Sequence, residues 1–168
     1  TSNFLSAIDE SLLLLLFTNR FVCCCDSCRD TDSMEADDTE FLTAFEKGVL
    51  PRPEWTHRAH LRMAYLYLRP CPDADTILQT IRGRIRAYNA AQGNPDGYHE
   101  TITAAFARLV AERLRTTQTA NFAEFERIHT DLFAPGGAIL LRYYEEATLS
   151  SPQARANFVP PDREPLPG

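Results

Sequence analysis

The chain has 168 residues, 44% hydrophobic, 10% aromatic and 24% charged, which is a globular composition on the scale of one domain. Seventeen Lys and Arg against 23 Asp and Glu leave a net charge of −6, and this argues against a dedicated nucleic-acid binder, whose footprint is a strongly basic face. A chain of this length buries about 70% of its unfolded surface, so it needs neither disulfide nor metal merely to fold.

Residues 1–33 differ in character from the rest. They hold four of the five cysteines (Cys23, Cys24, Cys25 and Cys28) and an apolar run from Leu12 to Phe17. That run is too short for a bilayer span, which takes about 20 residues. Asp9 and Glu10 stand where a secretory signal carries positive charge, and no small-residue cleavage site follows. A cytoplasmic protein without a membrane segment is expected. Cys25 and Cys28 have zinc-type spacing, but no second pair and no histidine lies near them in the chain. Residues 1–37 read as a leader outside the fold, with Met34 as the expected native start.

In chain order, the sequence predicts a helix over 39–47. Asp37 or Asp38 caps it, Phe41, Leu42 and Phe45 form its apolar stripe, and Gly48 stops it. A second helix covers 53–69, with Pro53 in its first turn and Pro70 and Pro72 beyond its end. A third covers 74–91. Asp73 is its N-cap, and Ile77, Leu78, Ile81, Ile85 and Tyr88 recur at helical spacing. Gly93 closes it, and Asn94-Pro95-Asp96-Gly97 makes a turn. A fourth, over 98–115, puts Ile102, Phe106, Leu109 and Val110 on one face. A short helix over 122–129, a turn at Pro135-Gly136-Gly137, a helix over 138–149 and a last turn after Ser151-Pro152 complete the series. No strand pattern of useful length interrupts it. The expected fold is all-α: one compact, bundle-like domain of about six helices over 38–158, with a Pro-rich tail, 159–168, lying along it.

The histidines carry the functional argument. The hydrophilic stripe of the 53–69 helix is narrow (Arg58 and Arg62, with Tyr65 beside them), so this helix reads as central and largely buried. His57 and His60 are three residues apart and share its other side. On the helical wheel His99 falls between Phe106 and Val110. Buried imidazoles need partners. Two from one helix and one from another suit a divalent ion (Zn, Fe or Cu) with an open position for substrate or water.

Around them stand further candidates. Glu100 is either an acid favouring its own helix N-terminus or a general base at the rim of the site. Thr103, one turn on from His99, is placed to hold an imidazole; Tyr98 and Trp55 read as packing residues beside the site, with Trp55 alternatively walling a pocket. His129, on a short polar helix, is expected at the surface. Arg82 and Arg86 form either a solvated face or a patch that recognises an anionic substrate. Arg142 and Glu146 have the spacing of an i, i+4 ion pair. Neither a phosphate-binding glycine fingerprint nor a nucleophile elbow is present.

The stretches Trp55-Thr56-His57-Arg58-Ala59-His60-Leu61 and Gly97-Tyr98-His99-Glu100-Thr101-Ile102-Thr103, with the close of the chain from Ser151 to Pro167, resemble those of a group of small bacterial helical proteins to which no activity attaches. The resemblance covers about 38–167. It implies a bacterial origin and those domain limits, and it carries no role for any residue. The first expectation is therefore a metal-dependent enzyme acting on a small molecule, with the ion on His57, His60 and His99 and Glu100 handling protons. Two others stay open: a non-catalytic helical binding domain with satisfied core histidines, and a metal-free enzyme using His99 and Glu100 as acid and base.

Overall fold

The computed structural model describes residues 26–167, and side chains from Glu35 onward. Cys23, Cys24 and Cys25 lie outside the described residues. Met34–Gly168 form one compact unit. Its elements are all helical, and among the described residues there is no strand.

Helix α1 spans Asp26–Glu46, so it begins well before the expected residue 39. Asp37 and Asp38 sit inside it and do not cap it. Both carboxylates accept instead from Arg62, at 2.5 and 2.7 Å. Gly48 closes α1 with φ 70°, a left-handed conformation that glycine takes at little cost. A Cβ added there would lie 2.7 Å from Cβ of Ala91, so the position also needs glycine for room.

Helix α2 spans His57–Leu68. Pro53 belongs to a separate 3-10 turn, Arg52–Glu54. The true N-cap is Thr56, whose hydroxyl accepts from Ala59 N–H at 3.3 Å. Helix α3 spans Ala74–Ala91, as the sequence predicts, with Asp73 accepting from the Asp75 and Thr76 amides. Helix α4 spans Glu100–Thr116 and α5 spans Phe122–Ile128.

The core lies between α2, α3 and α4. Leu61, Tyr65 and Leu68 from α2 meet Leu78, Ile81 and Ile85 from α3, and Leu109 and Val110 from α4. Fully burying an aliphatic side chain of this size contributes about 1.5–3 kcal/mol. Four alanines of α4 (Ala104, Ala105, Ala107 and Ala111) are buried and keep its surface low, and α2 is its main partner. Helix separation follows the size of the side chains at the contact.

The expected helix over 138–149 is not one helix. Two 3-10 turns, Thr130–Phe133 and Pro135–Arg142, lead to a short α6, Glu146–Leu149, and then to α7, Pro152–Ala156. The break has a tertiary cause. The Arg163 amide donates to Tyr143 O at 3.0 Å, and Asp162 accepts from the Glu145 amide at 2.8 Å. The C-terminal chain thus takes backbone groups that a continuous helix would use itself. It is tied down further on: Thr101 Oγ1 donates to Asn157 O at 2.8 Å and accepts from Val159 N–H at 3.0 Å. Arg142 pairs with Glu164 at 2.6 Å, not with Glu146 as its spacing suggests. Tyr143 and Tyr144 are both buried. Among the described residues no helix is long and apolar enough to cross a membrane.

Candidate functional site

A cavity of about 300 Å³ lies among α2, α3 and α4. From α2 it is lined by His57, His60, Leu61, Met63 and Ala64; from α3 by Ile81 and Ile85; from α4 by Ile102, Thr103, Phe106 and Ala107. No charged side chain lines it. The two imidazoles and the Thr103 hydroxyl are its polar side chains. A mostly apolar cavity with a few convergent polar groups is the usual form of a small-molecule site.

Both imidazoles are held by backbone carbonyls. His60 Nδ1 lies 2.7 Å from the carbonyl of Thr56, one turn back on its own helix. His57 Nε2 lies 2.8 Å from the carbonyl of Leu132, in the first 3-10 turn after α5. A carbonyl oxygen only accepts, so these nitrogens carry the hydrogens. His60 Nε2 and His57 Nδ1 are left with lone pairs. Rings pack around them: Trp55 lies 3.9 Å from His60 between ring centroids, and Phe106 meets His57 edge-on at 5.0 Å. Trp55 is itself stacked on Phe45 at 4.6 Å and tilted against Tyr88 at 4.9 Å. It thus backs His60 and does not line the cavity.

His60 stands near the start of α2, where the unpaired amides and the helix dipole oppose positive charge. Burial lowers the pKa of His60 from its ordinary value, and the neighbouring His57 adds to this.

His99 is not part of this group. It lies one residue before α4, in extended conformation, and caps that helix: its Nδ1 accepts from Ile102 N–H at 3.3 Å. Its Nε2 donates to Leu149 O at 2.9 Å. Both ring nitrogens are therefore in use. The helical wheel misplaces His99 because the residue is not helical. Among the described residues, no group of three or more His, Cys, Asp or Glu is placed to hold a metal ion. Only His57 and His60 of the expected triad keep a lone pair free for one. Thr103 does not hold an imidazole either; its hydroxyl donates to the backbone carbonyl of His99 at 2.8 Å.

Glu100 faces away from the histidines. It is buried and accepts from Arg82 Nε at 2.7 Å, from Arg82 Nη2, and from the Tyr98 hydroxyl at 2.9 Å. Arg86 stands 3.7 Å from the same carboxylate, with its guanidinium over the Tyr98 ring at 4.4 Å. Burial, then the bond to Glu100, pushes the Tyr98 hydroxyl up to about 12. Glu100, Arg82 and Arg86 line a separate, open recess with Gln79 and Asn157, and none of them reaches the cavity.

His129 is buried, not at the surface. Its ring packs on Phe125 at 4.8 Å, and its Nε2 has no hydrogen-bond partner. Its helix is polar only on the outside; Phe122 and Phe125 turn the other side, and His129 with it, into the core. The cavity walls Met63, Ile81 and Ile85 carry no sequence signal that separates them from ordinary core residues.

Compared with known proteins, the chain matches no family model, no curated protein and no solved structure.

Proposed function

We propose that this chain is a small-molecule enzyme whose site is the α2–α3–α4 cavity and whose acid–base group is His60. One observation carries the reading. Two imidazoles line an otherwise apolar cavity, each gives one ring N–H to a backbone carbonyl, and no protein hydrogen bond engages the other ring nitrogen. A general base needs a free lone pair, a fixed orientation and a partner that supports the protonated form. In His60 the lone pair is on Nε2, Trp55 fixes the ring, and the Thr56 carbonyl stabilises the imidazolium through Nδ1–H. His57 supplies a second acceptor. This reading replaces the three-histidine ion with a pair, because His99 is occupied as a helix cap.

The test is to fill the cavity without touching the histidines. Ala64→Phe places a ring in the space, and ligand-observed NMR with a set of small aromatic and aliphatic molecules compares it with the unaltered protein. Binding that is present in the unaltered protein and lost in Ala64→Phe is expected, with helical content retained. His60→Gln is expected to keep binders but abolish their turnover. Binding that survives Ala64→Phe contradicts this site.

A further inference from the structure

We infer that the ligand of this cavity is an uncharged, largely apolar small molecule that carries one hydroxyl or N–H donor. The inference rests on the cavity reading and adds the ligand's chemistry to it.

Size comes first. The space is about 300 Å³, at the small end of the range for small-molecule sites, and it suits a small molecule such as one aromatic ring with a substituent. Charge comes next. The walls are Ile81, Ile85, Ile102 and Phe106 with their aliphatic neighbours, and no Asp, Glu, Lys or Arg is among them. The basic cluster of α3, Arg82 with Arg86, is turned to Glu100 and the separate recess. A carboxylate or ammonium in the cavity would lose its water and find no counter-charge, which is strongly unfavourable.

Polarity decides the rest. The hydrogens on His60 Nδ1 and His57 Nε2 are spent on carbonyls. The nitrogens that remain accept and do not donate. The Thr103 hydroxyl hydrogen is likewise spent, on His99 O. The side chains of the cavity therefore offer acceptors and no free donor. A molecule that brings a donor completes them; one that brings only acceptors, such as a ketone or ether, leaves them unpaired.

Three monosubstituted benzenes separate these terms: the isosteres phenol and toluene, and the anion benzoate, each titrated into the full chain by calorimetry at neutral pH. Phenol is expected to bind about tenfold more tightly than toluene, the worth of one hydrogen bond, and benzoate more weakly than either. His60→Leu, which keeps the wall apolar, is expected to bring phenol down to the affinity of toluene while toluene is unchanged. His60→Met, which offers only a weak acceptor, serves as the second variant should leucine disturb folding, and phenol is expected to weaken there too. Phenol binding no tighter than toluene, or benzoate binding best, overturns the donor inference and leaves the cavity reading intact. No binding of any of the three to the folded, unaltered protein overturns both.

Discussion

Protonating His99 puts a hydrogen on the one nitrogen that accepts from Ile102 N–H. The cap at the start of α4 is then lost. Burial holds the pKa of His99 below its ordinary value, and does the same for His60 and His129. The sign follows from linkage. Each group's unfolded form takes up its proton at higher pH than its folded form. Stability is fully present above about pH 6.5 and is lost as pH falls through the lowered folded values. Urea unfolding at pH 7 and pH 5 checks this. His99→Ala is expected to cost about 0.5–2 kcal/mol at pH 7, the usual loss of a cap. His99→Asn, itself a good cap, is expected to recover much of it, to weaken the acid sensitivity, and to leave binding in the cavity unchanged. Loss of binding in His99→Asn would put this residue back in the site. The shared face of His57 and His60 was legible from a spacing of three on a helix. The role of His99 was not, since a shift of one residue in the helix start turns a wheel position into a cap.

At the scale of elements, boundaries decide which side chains meet. Asp73 and Gly93 marked α3 to the residue, because an acid cap and a positive-φ glycine act through local chemistry alone. Thr56 is as good a local signal for α2, but Pro53 offers a competing one, and it starts a 3-10 turn of its own. The segment over 138–149 was beyond local reasoning, since Asp162 and Arg163 divide it from far along the chain. Glu100 shows the same limit: its position in the first turn of α4 was legible, while its ion pair with Arg82 of α3 was not. That pair couples the two helices. Glu100→Gln is expected to destabilise the fold by about 1.5–3 kcal/mol, the range for hydrogen bonds to charged groups, with ligand affinity in the cavity unaltered. Equilibrium unfolding and calorimetry read the two effects separately. Unchanged stability with lost turnover would assign Glu100 to the chemistry.

On the scale of the whole molecule, the cavity is a property of three helices at once. Each contributes aliphatic residues at positions that look like core, and the space appears only where the small Ala64 and Ala107 stand among larger neighbours. No pattern along one helix encodes it. The all-helical fold, by contrast, follows from periodicity and stop signals that repeat along the chain. What gives the cavity chemical meaning is the state of its two imidazoles, and that state is directly measurable. Long-range proton–nitrogen correlation spectra of the histidine side chains at neutral pH report which ring nitrogen carries hydrogen. The structure predicts His60 protonated on Nδ1 with Nε2 bare, and His57 protonated on Nε2 with Nδ1 bare. A His60 ring carrying its hydrogen on Nε2, or a doubly protonated His60 at that pH, would contradict the acid–base role assigned to it.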